Sequence, residues 1–150
     1  MKKEDSLNGK WIGQLTYDRS YPAEYRNKIL KFEIGLTEEN GVINGSCEDN
    51  LTRDLHLQPA TIIGTYQSRE INFIKRYPCR ITLKENNVLI AQHHEPPIEI
   101  YYTGTLHQRL FSKKDFFKGT WNITQSFADE RGNVRFYKIG GKWTMARFEE

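Results

Sequence analysis

One lysine stands where a strand should be dry. In Ile71-Asn72-Phe73-Ile74-Lys75-Arg76-Tyr77, alternation puts Ile71, Phe73, Lys75 and Tyr77 on one face, because successive side chains of an extended chain point to opposite sides. An ammonium held among apolar neighbours is partly stripped of water and gains most from a charge-assisted partner, so Lys75 is placed to meet an acidic head group such as a carboxylate. The other readings are that its methylene stem carries the charge out to a rim, or that it pairs with a glutamate. Tyr66, Tyr77 and Tyr102 share expected faces with apolar neighbours; they either line a pocket with their hydroxyls or fill the space themselves. The expected ligand-binding set is Lys75, Tyr77, Tyr102, Tyr66, Phe73 and Phe32. In it Lys75, Tyr77 and Tyr102 form a polar corner above an apolar floor of Phe32, Ile34 and Phe73.

Other reactive residue types lead less far. His93-His94-Glu95 invites a metal, but neighbouring residues of an extended chain diverge, and the Pro96-Pro97 that follows stiffens a loop. Cys47-Glu48-Asp49-Asn50 with Asp54 is acidic enough for calcium yet lacks the alternating ligand register of a calcium loop, and reads as a charged turn. His56 and His107 are isolated, and no nucleophile stands beside a base. No metal, cofactor or catalytic residue is expected, so an enzyme is the weakest class.

Those side chains need strands to position them. From Leu7 to Tyr17, Trp11, Leu15 and Tyr17 fall on one face with Gly13 between, and Ile12, Gln14 and Thr16 on the other. A polar stretch, 18–27, with Pro22, Tyr21 and Tyr25, reads as a long loop lying over one mouth as a lid. Strands follow at 28–36 and 42–48, joined by Asn40-Gly41, a type I′ hairpin pair. Further strands are expected at 60–66, 71–77, 79–84, 88–92, 98–106 and 117–127, with turns at Glu85-Asn86-Asn87 and at 129–133. A last hairpin, 134–139 with 142–148, is expected to turn at Gly140-Gly141. No stretch shows sustained helical periodicity with caps. Eight to ten half-apolar strands with short turns stack as a sandwich or close as a barrel, and the meander order with glycines at 13, 35, 45, 64, 104 and 119 favours a single antiparallel up-and-down β-barrel over residues 1–150.

Composition excludes several classes. Mean hydropathy is low, but 13% aromatic residues argue against disorder. A net charge of +3 spread along the chain leaves no basic block, so nucleic acid is not an expected partner. Met1 to Ser6 has no apolar stretch behind its lysines and no run spans a bilayer, so the expectation is a cytoplasmic protein with no membrane insertion, its two cysteines, Cys47 and Cys79, reduced. Oligomeric state is left open.

Gly9-Lys10-Trp11 with the meander resembles the calycin-type barrels: lipocalins, avidins and intracellular fatty-acid-binding proteins. Phe117-Lys118-Gly119-Thr120-Trp121 is similar to the opening strand of the last group, though it lies near the C-terminus here. The nearest resemblance is to uncharacterised bacterial lipocalin-like barrels, through Gly9-Lys10-Trp11, Phe73-Ile74-Lys75-Arg76-Tyr77-Pro78, Tyr102-Thr103-Gly104 and the later Gly-x-Trp. It implies a barrel plugged at one end by Trp11, with a late arginine packed over it, Arg147 being best placed by order and Arg135 second. Gly9, Trp11 and Gly13, followed by Tyr21-Pro22, also resemble the nitrobindin type of haem barrel, whose haem hangs from a histidine near the C-terminus; no histidine follows His107 here. The function implied is binding of a small apolar or amphipathic, possibly acidic, ligand; the alternative is an interaction or structural barrel filled by its own side chains.

Overall fold

The computed structural model of the protein describes residues 6–83, 88–108, 115–128 and 130–148. Alternation becomes burial in β1 (Gly9–Tyr17), β2 (Ile29–Glu39) and β3 (Val42–Asp49): Trp11, Leu15, Leu30, Phe32, Ile34, Leu36, Ile43 and Cys47 are buried, and the residues between them mostly face water. Asn40 and Gly41 both take positive φ, 52° and 82°, the geometry a two-residue I′ turn requires. β4 (Ala60–Gln67), β5 (Glu70–Arg76), β8 (Ile100–Gln108), β9 (Asp115–Ala128) and β10 (Val134–Arg147) complete the wall. The order β1-β10-β9-β8-β5-β4-β3-β2 closes on itself through the β1–β2 ladder, an antiparallel up-and-down barrel of eight strands. β6 (Arg80–Leu83) and β7 (Leu89–Gln92) form a separate two-stranded hairpin inserted between β5 and β8. Lys84, the turn expected at Glu85-Asn86-Asn87, and Asp129 lie outside the described residues.

Two expectations change. Gly140-Gly141 is not a turn: β10 runs unbroken from Val134 to Arg147, pairing Gly140 with Asn122 and Gly141 with Trp121 on β9. A Cβ at Gly140 would overlap the Trp121 carbonyl oxygen and one at Gly141 the Thr16 carbonyl oxygen, so the pair lets three strands approach closely. The polar stretch after β3 contains a short helix, α1 (Asn50–Asp54), held by a capping box in which Asp49 accepts from the Thr52 N–H and Thr52 accepts from the Asp49 N–H.

The three Gly-x-Trp repeats set indoles at three heights. Trp11 closes one end, its N–H donating to the Leu7 carbonyl at 2.9 Å and its ring covered by the Arg147 guanidinium at 4.6 Å. Arg147 is itself held by the carbonyls of Asn8 and Ser6 at 2.9 and 2.6 Å, whereas Arg135 is exposed. Trp143 stands in the middle, sharing its N–H between the Thr103 and Thr120 carbonyls at 3.1 and 3.0 Å. Trp121 stands at the other end, bonded to the Thr16 carbonyl at 2.9 Å. Between the first two, ring contacts run from Trp11 to Phe117 (5.3 Å), Phe117 to Trp143 (6.4 Å), and Trp143 to Phe73 (5.6 Å) and Tyr102 (5.7 Å). The barrel is therefore packed with aromatic rings from the Trp11 end up to Tyr102. Among the described residues no helix is long and apolar enough to cross a membrane.

Candidate functional site

The polar residues gather at the end opposite Trp11. β3 finishes there with Asp49, buried as both the last inward side chain of the strand and the N-cap of α1. β5, on the far side of β4 from β3, delivers Lys75, 1% exposed, with Tyr77 just beyond. Lys75 Nζ lies 2.6 Å from Asp49 Oδ2, and the Tyr77 hydroxyl donates to the same oxygen at 2.5 Å. Asp49 Oδ1 accepts from the Thr52 N–H at 2.9 Å. The ammonium also sits over the Tyr77 ring at 4.7 Å and 6.0 Å from the Phe32 centroid. Tyr102, directly across the ladder from Phe73, stacks on it at 4.6 Å and 10°.

Over this cluster lies the segment 18–28. Its first residues are tied to the wall: the Asp18 N–H donates to the Gly140 carbonyl at 2.9 Å, and the Gly140 N–H donates to Ser20 Oγ at 3.0 Å. Beyond them it folds on itself around a 3₁₀ turn, Ala23–Tyr25, and contributes Tyr21 and Tyr25 to a cap completed by Tyr17 of β1 and Trp121 of β9. Ring centroids in that cap are 4.8 to 5.9 Å apart.

Of the residues expected from sequence, Lys75, Tyr77, Tyr102, Phe73 and Phe32 come together, and Lys75 faces inward among them. Tyr66 does not join them: its partner across the β4–β5 ladder is Ile71, four residues before Lys75, and its ring packs on Phe117 at 5.8 Å, near the Trp11 end. Sequence reasoning missed Asp49 as the carboxylate that meets Lys75; it expected the lid with Tyr21 and Tyr25, but not that Tyr17 and Trp121 complete it. His93 and His94 are exposed in the turn after β7, and Cys47 and Cys79 are free, buried thiols.

Electrostatics keep the cluster in one protonation state at neutral pH. Burial opposes the Asp49 charge, but the Lys75 ammonium and the hydrogen bonds from Lys75, Tyr77 and Thr52 outweigh it, and the carboxyl sits below its ordinary value. Burial likewise opposes the Lys75 charge, and its anionic neighbours raise it well above the ordinary lysine value; with Cys47 pushed up by burial to about 11, the anion present at neutral pH is Asp49. Burial raises Tyr17, Tyr21, Tyr25, Tyr77 and Tyr102, so all five stay neutral phenols. Tyr17 responds to the Asp49 and Lys75 charges, Tyr21 to Tyr17 and Tyr102, and Tyr102 to Lys75 and Asp49, which marks the groups as one constellation.

A pH dependence follows. Because Asp49 is depressed in the folded state, its contribution to stability is fully present above the ordinary aspartate value near ~3.9 and is lost as pH falls through the lower folded value. Because Lys75 is raised, its contribution is fully present below about 10.4 and is lost only as pH rises through the higher folded value. Urea midpoints measured across pH should be flat through neutrality and fall in acid, with a shallower acid limb in Asp49→Asn.

Hydrogen-bond accounting shows an imbalance. Asp49 accepts from three donors, and the three N–H groups of Lys75 meet Asp49 Oδ2, the Cys47 thiol and the Tyr77 ring. The buried Tyr25 hydroxyl has no partner, and those of Tyr17, Tyr21 and Tyr102 make no hydrogen bond to a described residue. Donors are left over at a place walled by rings. Two shallow depressions elsewhere, beside Gly64 and Gly35, lie on the outer wall of the barrel.

No family model matches the chain, and no curated protein matches it. Among solved structures, a crystal structure of short afifavidin in complex with biotin is similar at 9% identity, over 89% of this chain and 87% of that chain, with a TM-score of 0.46.

Proposed function

We propose that the barrel binds a small uncharged molecule beneath the 18–28 cap, its flat apolar part against the Tyr17, Tyr21 and Trp121 rings and a carbonyl-type oxygen toward Lys75 and Tyr102. The observation that carries this is the Tyr25 hydroxyl, buried in the cap without a partner, with the Tyr17, Tyr21 and Tyr102 hydroxyls gathered in the same constellation around Lys75. Groups left unpaired in a low-dielectric site cost free energy that an acceptor atom of a ligand recovers. Lys75 alone pointed to an acidic head group; with Asp49 at 2.6 Å the pair is electrically neutral, and an anion would meet the carboxylate as well as the ammonium. A long acyl tail has no room, since Phe32, Ile34 and Phe73 are buried against the packed interior. Entry requires the cap to swing aside, because residues 21–28 are held to the barrel by the contacts of Tyr21 and Tyr25 with Tyr17 and Trp121 rather than by backbone ladders.

A second reading, a barrel with no ligand, draws on the continuous ring packing below Tyr102. Native mass spectrometry of protein purified from its own host separates the two. A bound small neutral species lost on Tyr102→Phe supports the proposal; apo mass alone, with no uncharged carbonyl compound binding in subsequent titrations, supports the filled barrel.

A further inference from the structure

Strands β9 and β10 outrun their other neighbours. β1 pairs with β10 no further than Tyr17↔Gly141, and β8 pairs with β9 no further than Tyr101↔Asn122, so residues 123–128 and 134–140 rise beyond the barrel as a two-stranded ribbon. At Gly140 the backbone N–H and carbonyl face the β1 side, where Ser20 and Asp18 take them. By the period of two, Lys138, Phe136 and Val134 turn their own N–H and carbonyl groups to the same side. Among the described residues no backbone group pairs with them there. A two-stranded ribbon is marginal in water, and an unpaired edge is a template for another strand. This edge is also apolar: Phe136 is 71% exposed and Val134 57%.

Charge decides what fits. β10 contains Arg135, Lys138, Lys142 and Arg147 and no acidic residue, with Lys138 on one face of the ribbon and Arg135 on the other. A second copy pairing here would bring up another strand with no acidic residue, offering neither Arg135 nor Lys138 a counter-charge. We propose that the free edge of β10, residues 134–138, takes an extended acidic peptide segment as an added strand. Main-chain bonds to Val134, Phe136 and Lys138 supply affinity, and carboxylates on both faces meet Arg135 and Lys138. This is independent of the site under the cap.

The test uses fluorescence anisotropy with a labelled peptide alternating glutamate and valine, the same peptide with lysine for glutamate, and oligouridylate. The acidic peptide should bind saturably and weaken as salt is raised. Phe136→Pro removes one edge N–H while sparing the β9 ladder, and Phe136→Thr keeps that N–H; the threonine variant should bind about tenfold more tightly, the equivalent of one hydrogen bond. Circular dichroism checks that both variants fold. No saturable binding of the acidic peptide overturns the proposal. So does equal binding by the two variants, equal binding of the lysine peptide or oligouridylate, or self-association in sedimentation that Phe136→Pro abolishes.

Discussion

Replacing Asp49 with alanine should cost about 3–5 kcal/mol of stability, because it leaves the Lys75 ammonium buried without its counter-charge. Both side chains are essentially sealed from solvent, at 0% and 1% exposure, so water cannot substitute for the lost carboxylate. Lys75→Met should cost somewhat less, since the stranded carboxylate keeps the Tyr77 hydroxyl and the Thr52 N–H. Read without Asp49, Lys75→Met would remove only a ligand contact and leave folding intact; the pairing makes it a stability mutation as well. The informative variant is Asp49→Asn with Lys75→Met, which retains an acceptor for the cap of α1 and removes both charges. It should recover to within about 2 kcal/mol of the parent, since deleting a whole buried pair is far milder than breaking one. Urea denaturation of the four proteins measures the coupling. Additive losses in the double variant would mean that the two charges do not depend on one another. A double variant that folds yet binds no ligand would show that the pair serves recognition more than stability.

Trp143→Ala should be comparably severe, about 3–5 kcal/mol for a fully buried indole whose site cannot collapse. Its ring touches Phe73, Tyr102 and Phe117 and lies over Gly104, where even a Cβ would stand 2.7 Å from it. Removal also strands the Thr103 and Thr120 carbonyls that share its N–H. Trp143→Phe keeps most of the packing and should lose less. A cost below about 1 kcal/mol for the alanine variant would mean that the middle of the barrel is not closed around this residue.

Much of this was legible in the chain because strand periodicity reports which face a residue takes. Four residues of alternation place Lys75 inward, and the meander order implies the barrel. Height along the barrel is a different quantity, set by register, and alternation alone groups Tyr66 with residues at the far end from it. Asp49 was within reach: the run Ile43, Gly45, Cys47 continues inward to 49, but its polar neighbours made the strand seem to end one residue early. The helix after it is a single turn, too short for periodicity, and only the Asp49-to-Thr52 spacing of its cap announces it. Gly140-Gly141 has the composition of a turn, and nothing local distinguishes it from two glycines demanded by the approach of β1 and β9. The cap was visible as a loop over a mouth; that its tyrosines would leave hydroxyls unpartnered depends on packing no local pattern encodes.

The three indole N–H groups, one at each height, make the claim of a site beneath the cap directly measurable. Two-dimensional ¹H–¹⁵N spectra should be recorded while small uncharged carbonyl compounds and the matching carboxylates are titrated in. The neutral compounds should shift the Trp121 indole signal saturably, the Trp143 signal less and the Trp11 signal not at all, with the carboxylates inert and the response lost in Tyr102→Phe. A Trp121 signal untouched by every neutral compound, or moved equally in Tyr102→Phe, would contradict a binding site at this end of the barrel.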